Sequence, residues 1–161
     1  MRKGWLFFTA FFLCADRFTK YLASTYIQGR PGDAMAFLPG LVRFRYVENT
    51  GAAFSALSGM QGLLIAVAAA VIAAVALYLF RSKSLRPVLT AGLCLIAAGG
   101  LGNLLDRILW GHVVDFIEFV PFQFAIFNVA DICISLGAAA VFLHLFVTRE
   151  KHGRDDVHVE N

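Results

Sequence analysis

Four apolar stretches dominate this 161-residue chain and limit what it can fold into. They cover residues 4–24, 60–80, 87–108 and 125–147, and each is about 21–23 residues long. A helix needs roughly 20 residues to cross the hydrocarbon core of a bilayer, so each stretch is long enough. Apolar residues make up 59% of the chain and charged residues only 16%, which excludes a soluble domain and a disordered arm. We therefore predict one all-α integral membrane domain, residues 1–161, with four transmembrane helices.

The basic residues predict how these helices are oriented. Eight of the 14 Lys and Arg residues flank the spans on one side: Arg2, Lys3, Arg81, Lys83, Arg86, Arg149, Lys151 and Arg154. The loop 25–59 holds three more, and the loop 109–124 holds none. Because cytoplasmic segments are rich in Lys and Arg, we expect both termini in the cytoplasm, a cytoplasmic tail at 148–161 and both of these loops outside. The net charge of +3 is then an orientation signal, and no nucleic-acid partner is expected.

The N-terminus needs to be distinguished from a cleavable leader. Met1-Arg2-Lys3 followed by an apolar run is also how secretory signal peptides begin. Asp16, Arg17 and Lys20 interrupt that run where a leader stays apolar or small. We therefore expect a first helix that is retained.

A few polar side chains fall inside the spans at one predicted depth. With a rise of 1.5 Å per residue, Asp16 lies roughly 18 Å along the first span and Asn103 about 24 Å along the third. Asn128 and Asp131 fall in the first two turns of the fourth span, which runs back inward. All four positions are in the outer half of the bilayer, and the inner half is almost purely apolar. This pattern indicates a site that faces the outer leaflet.

Four acids lie at or near this layer: Asp16, Asp106, Asp115 and Asp131. Asp16 and Lys20 are four residues apart on one helix face, which predicts an ion pair. Asp115 and Asp131 have no cation nearby in the sequence, and the apolar neighbours of Asp115 should raise its pKa. Two unpaired carboxylates in an apolar site are what an aspartic protease needs, because one holds a proton while the other activates water.

Other interpretations of these carboxylates stay open. Asp131 could be a helix-packing carboxylate and Asp115 a solvated loop acid. The chain could also be a proton-coupled transporter or channel subunit that uses the acids as a relay, or a structural membrane subunit. A relay would place polar residues along the inner half of a span, where the sequence has almost none. His, Cys and acidic residues show no metal-ligand spacing, so we expect no metal and no cofactor.

The first long loop has its own pattern. Residues 42–47 alternate apolar and basic side chains, which predicts a half-exposed strand, and residues 112–119 are rich in β-formers that could pair with it. A short amphipathic stretch covers 52–59. An ordinary surface hairpin is one interpretation of this loop. The other is a strand edge that holds a substrate chain beside the two acids.

Five motifs together resemble one family, the lipoprotein signal peptidases, also called signal peptidase II. In chain order they are Asp16-Arg17-Phe18-Thr19-Lys20, Val47-Glu48-Asn49-Thr50-Gly51-Ala52-Ala53-Phe54, Gly99-Gly100-Leu101-Gly102-Asn103-Leu104-Leu105-Asp106-Arg107, Gly111-His112-Val113-Val114-Asp115-Phe116 and Phe127-Asn128-Val129-Ala130-Asp131. The resemblance implies a four-span intramembrane aspartic endopeptidase of the bacterial inner membrane. Such an enzyme cuts diacylglyceryl-modified prolipoproteins just before the lipidated cysteine.

The resemblance also implies roles for individual residues. Asp115 and Asp131 would be the catalytic pair. Asp16 and Lys20 would brace the site, Asn49 and Arg107 would hold substrate, and Asn103 and Asn128 would orient their neighbours. Three further motif positions would bind substrate or support the site: Gly51, Asp106 and Ala130. A small extracytoplasmic β-element near 42–47 and a mobile outer helix near 52–59 are expected as well, in a chain that acts as a monomer among membrane lipids.

Overall fold

A computed structural model describes residues 2–51, 57, 59–82, 86–122 and 125–157; for Arg2, Phe122 and 149–157 only the backbone is described. Four long helices and a small sheet make up the described residues: α1 (Arg2–Tyr26), β1 (Ala34–Leu38), β2 (Val42–Asn49), α2 (Gln61–Arg81), α3 (Pro87–Trp110), β3 (Val113–Phe119) and α4 (Val129–Val157). Short 3-10 turns precede β1 and follow β3.

Three of the four predicted spans are confirmed as helices long and apolar enough to cross a membrane. They are Gln61–Arg81, Pro87–Trp110 and Val129–Thr148. Helix α1 has the length, 25 residues, but carries Asp16, Arg17 and Lys20 in its second half, so its place as a fourth span stays a prediction. Large apolar side chains on α1 and α2 are exposed, as expected for surfaces that contact lipid.

Helix α3 is the centre of the bundle and packs against the other three long helices. Small residues allow this close packing. A Cβ atom on Gly92 would lie 2.8 Å from the carbonyl oxygen of Gly137, and one on Gly99 would collide with the carbonyl oxygen of Ala130. Helices in membranes associate through such small-residue contacts because backbones can then approach closely. Gly92 and Gly99 therefore bring the backbones of α3 and α4 into close contact.

The sheet is antiparallel, with strand order β1-β2-β3. Its central strand, β2, contains the strand predicted at 42–47 and extends two residues further, to Asn49. The register places Val47 opposite Asp115 and Glu48 opposite Val114. Apolar residues of the sheet, including Val114 and Phe116, pack on the C-terminal end of α1. This contact attaches β3, and with it Asp115, to the helix bundle.

Helix α4 begins four residues later than predicted, at Val129 instead of 125. The reason is that Phe127 is held in an extended conformation by hydrogen bonds to Ile117 of β3, 3.1 and 2.8 Å long. Asn128 therefore lies just before the helix instead of within its first turn. The backbone of α4 then continues as helix to Val157, through much of the region predicted as a solvated tail.

The predicted outer helix at 52–59 falls mostly on residues that the structure does not describe, namely 52–56 and 58. The last four residues of the predicted tail, 158–161, also lie outside the described part.

Candidate active site

A cavity of about 580 Å³ opens between α2, α3, α4 and the sheet, and both unpaired acids line it. Asp115 projects from β3, and Asp131 from the first turn of α4. Asn49, Asn103 and Arg107 line the same cavity. Side chains of β2 and α3 thus line one cavity together with the two carboxyl groups, and they include Asn103 of the predicted polar layer.

Asp115 is almost fully buried, with 3% of its surface exposed. Its two carboxylate oxygens accept hydrogen bonds from amide groups: Asn49 Nδ2 at 2.9 Å and Asn128 Nδ2 at 2.7 Å. Burial raises the pKa of Asp115 from 3.8 to about 6, and the negative charge of Asp131 acts in the same direction, while the two amide donors oppose it. The rise expected from the sequence is therefore present, and burial is its main cause.

Asp131 is held by α3 and by the start of its own helix. Asn103 Nδ2 donates to Asp131 Oδ1 at 2.8 Å, and the backbone N–H of Asn128 donates to Oδ2 at 3.1 Å. In return, Asn128 Oδ1 accepts the backbone N–H of Asp131 at 2.9 Å. This reciprocal pattern is a capping box, which satisfies N–H groups at the helix start. Asn103 and Asp106 have the same Asn-x-x-Asp spacing, but both lie within α3 and cap no helix start.

Lys20, which does not line this cavity, sets the orientation of the Asn103 amide. Lys20 Nζ donates to Asn103 Oδ1 at 2.9 Å, so the amide nitrogen faces Asp131. Lys20 also forms ion pairs with Asp16, at 3.0 Å, and with Asp106, at 2.8 Å. The predicted Asp16–Lys20 pair is thus present. All three charged side chains are at most 2% exposed, so the cluster is a buried support for the cavity wall.

Asp16 and Asp106 also hold backbone segments that carry the two cavity acids. Asp16 Oδ1 accepts the backbone N–H of Ala130 at 2.9 Å, next to Asp131 in sequence. Asp106 Oδ2 accepts the N–H of Val114 at 3.4 Å, next to Asp115. Ala130 itself is fully buried, and its backbone packs against Gly99. Each of these two acids therefore supports the chain beside one of the carboxylates that line the cavity.

Arg17 is a part of this cluster that sequence reasoning did not assign to the site. Its guanidinium pairs with Asp106, 89 positions away in the chain, and reaches the carbonyl oxygen of Gly102 at 3.4 Å. The sequence contains one signal of this role. Arg17 is a second cation next to Asp16, so Arg17 and Lys20 together could balance the negative charges of Asp16 and Asp106. Only the packing of α1 on α3 shows which acid Arg17 meets.

The end of β2 forms the remaining edge of the cavity. Asn49 Oδ1 accepts the N–H of Gly51 at 2.9 Å, which makes a tight turn after the strand. Arg107 Nη2 donates to the carbonyl oxygen of Gly51 at 2.8 Å, and Nη1 to that of Asn103 at 3.3 Å. Gly51 is buried under this contact. Asn49, Gly51 and Arg107 are thus brought together beside Asp115.

Comparisons with known proteins identify relatives of this chain. The lipoprotein signal peptidase of Symbiobacterium thermophilum is 39% identical over 138 residues, which cover 84% of this chain and 90% of that protein. The lipoprotein signal peptidase of Coxiella burnetii is 36% identical over 151 residues, which cover 89% of this chain and 90% of the relative.

The fold is similar to solved structures as well. One bacterial membrane enzyme matches with a TM-score of 0.85 and 26% identity over 92% of this chain and 91% of that one. A second matches with a TM-score of 0.79 and 28% identity over 89% and 92% of the two chains. The sequence profile described as "Signal peptidase (SPase) II" matches residues 8–147, which include every residue of the cavity and the buried cluster. The chain is therefore a member of the signal peptidase II family.

Proposed function

We propose that this protein is an aspartic endopeptidase that removes the signal peptide from diacylglyceryl-modified prolipoproteins. Cleavage falls just before the lipidated cysteine. Membership of the signal peptidase II family supports the substrate class. The observation that carries the mechanism is that Asp115 and Asp131 line one cavity and are both held by amide donors, with no ion pair to either among the described residues.

The chemistry follows from two carboxyl groups that share one proton. The ionised carboxylate removes a proton from a water molecule as its oxygen attacks the scissile carbonyl carbon. The protonated carboxyl stabilises the developing oxyanion and then gives its proton to the leaving nitrogen as the C–N bond breaks. The pair titrates as a unit, so the proton belongs to both acids and not to one of them. Burial of Asp115 keeps this proton bound to higher pH than an exposed aspartate would.

The supporting residues divide into two groups in this proposal. Asn103 and Asn128 orient the carboxylates, and the buried Asp16, Lys20 and Asp106 fix the elements that carry them. Asn49, Gly51 and Arg107 lie at the strand edge beside Asp115, where an extended substrate chain would run.

We further propose that the enzyme spans the bacterial inner membrane with α1 as a fourth span and both termini in the cytoplasm. The carboxylate pair then lies toward the outer leaflet. A diacylglyceryl group would anchor the substrate at that depth, so that binding of the peptide becomes in effect intramolecular and needs few contacts. The protein works as a monomer and needs no metal, cofactor or nucleic acid in this proposal.

A precursor assay tests the proposal. The purified protein is incubated with one prolipoprotein in two forms, with and without the diacylglyceryl group on its cysteine. We expect cleavage of the modified form alone, with a new N-terminus at the lipidated cysteine. Cleavage of both forms equally would contradict the substrate class. Absence of cleavage with folded protein would contradict the enzyme and favour a transporter or structural subunit.

A further inference from the structure

A second cavity, of about 380 Å³, lies behind the wall of the first. Neighbouring residues of the same strands line the two cavities: Asn49 and Val113 face the carboxylate pair, while Glu48 and Val114 face the second cavity. This follows from the geometry of a strand, in which successive side chains point to opposite faces. The second cavity is thus a separate space that the proposed reaction does not use.

The second cavity lies at the end of α1 and α3, where aromatic side chains are exposed. Tyr21 of α1 and Trp110, the last residue of α3, each expose 63% of their surface and line its rim. Tyr and Trp concentrate at the boundary between hydrocarbon and water, where their rings sit among lipid headgroups. The cavity therefore opens at headgroup depth, on the side of the membrane nearest the carboxylate pair.

The side chains that line the second cavity include one accessible cation, Arg17, and one accessible anion, Glu48. Arg17 leaves 34% of its side chain exposed while its Nη1 is engaged with Asp106. Glu48 is half-exposed and accepts a hydrogen bond from the Tyr46 hydroxyl at 3.1 Å, with His112 Nε2 3.8 Å away. The floor, Lys20 and Asp106, is an ion pair that neutralises itself. The cavity thus presents one accessible positive group and one accessible negative group.

We propose that this second cavity binds the headgroup of an aminophospholipid, such as phosphatidylethanolamine. Arg17 contacts the phosphate, because a guanidinium matches phosphate oxygens through several N–H donors. Glu48 accepts hydrogen bonds from the primary ammonium, which also lies against the aromatic rings of Tyr21 and Trp110. An anionic headgroup without an ammonium would offer the Glu48 carboxylate no positive partner. A choline headgroup is positively charged but has no N–H to donate to this carboxylate.

Trp110 provides a local reporter of this binding. The chain has two tryptophans, so Trp5→Phe leaves Trp110 as the only indole. The full-length variant is placed in phosphatidylglycerol vesicles that contain increasing, matched mole fractions of brominated-acyl phosphatidylethanolamine, phosphatidylglycerol or phosphatidylcholine, and the quenching of Trp110 is compared. We expect half of the maximal quenching at about twofold lower mole fraction of brominated phosphatidylethanolamine than of either other lipid, the order expected for one half-exposed ion pair with Glu48.

Variants show whether the selectivity arises at Glu48. Glu48→Gln in the Trp5→Phe background should abolish the preference for phosphatidylethanolamine. Glu118→Gln is the matched control, because it makes the same change on the same sheet, where Glu118 pairs with Arg43, and it should keep the preference. Tyr21→Leu, on the exposed rim, should reduce the preference without touching the buried cluster.

The remaining outcomes overturn the proposal. Equal quenching by all three lipids means that Trp110 meets only bulk lipid, and preference for phosphatidylglycerol means that the cavity selects anions. Equal quenching by phosphatidylethanolamine and phosphatidylcholine removes the role of Glu48 as an acceptor. No quenching by any lipid places Trp110 outside the membrane.

Discussion

The four acids at the sheet end of the helix bundle, Asp16, Asp106, Asp115 and Asp131, have two different kinds of partner. Asp16 and Asp106 meet cations, because Lys20 pairs with both and Arg17 with the second. Asp115 and Asp131 instead meet amide groups of asparagine and backbone N–H groups. The two sets are connected through one side chain, Asn103, whose oxygen faces Lys20 and whose nitrogen faces Asp131.

The difference separates two acids that the proposed reaction uses from two that hold the fold together. Asp16 and Asp106 belong to a buried network of ion pairs, and loss of one member leaves a buried charge uncompensated. Asp115 and Asp131 are oriented by neutral amide groups inside a cavity, where the proposed reaction takes up and releases a proton. Substitutions in the two sets should therefore have different effects.

The largest effect is expected at the amide-held acids. Asp115→Asn or Asp131→Asn should lower the rate of cleavage of a lipid-modified precursor by about three orders of magnitude, as general acid–base groups contribute. Neither change removes a buried ion pair, so the protein should stay folded and helical by circular dichroism. Glu118→Gln, the same change on the strand that carries Asp115, is the control and should leave the rate unchanged. Full activity in either Asp variant would refute the assignment.

Substitution of an acid that is paired with a cation should mainly lower the stability of the protein. Asp16→Ala leaves the N–H of Ala130 without its acceptor and the buried Lys20 with one acid fewer. Breaking a buried pair costs about 3–5 kcal/mol, so we expect a loss of about 3 kcal/mol in the free energy of unfolding. Thermal unfolding in detergent measures it. The cleavage rate per folded molecule should fall only in part. If it fell as far as in Asp131→Asn, the two kinds of acid would not differ in role.

The pH profile tests whether amide donors set the titration of the pair. Because the pKa of Asp115 is raised to about 6, this carboxyl group ionises as the pH rises above that value, and the proton that the proposed reaction needs is lost. The rate constant kcat/KM should therefore decline above about pH 6. Asn49→Ala removes a donor that stabilises the ionised Asp115, so its pKa rises and the decline should move to higher pH. A profile that keeps its position, or moves to lower pH, would contradict the role of Asn49.

The smallest effect is expected where an acid meets a cation at the surface of the sheet. The Arg43 guanidinium holds the pKa of Glu118 below its usual range through two hydrogen bonds. This stabilisation is present above the ordinary pKa of a glutamate and is lost as the pH falls through the lowered value. Glu118→Gln should therefore lower the melting temperature slightly at neutral pH and not at all in strong acid. An equal loss at both pH values would show that the ion pair is not responsible.

Much of the fold was predictable because its determinants are local. Long apolar runs predicted the helices α2 and α3 to within about two residues, and alternation predicted strand β2. The start of α4 was not predictable in this way. Residues before Val129 are apolar enough for a helix, but Phe127 pairs with Ile117 and stays extended.

The candidate site was likewise predictable where its determinants are local and not where they come from different helices. Rarity of charge in an apolar chain by itself predicted that the four acids lie at one level of the bundle. The spacing of Asp16 and Lys20 predicted one ion pair, because both residues belong to one helix face. Only the tertiary structure decided that Arg17 and Lys20 reach Asp106 while Asn103 reaches Asp131. Such partners come from different helices, and small residues on α3 decide how closely those helices pack. Hydrogen bonds over a few ångströms depend on that packing, which no single segment encodes.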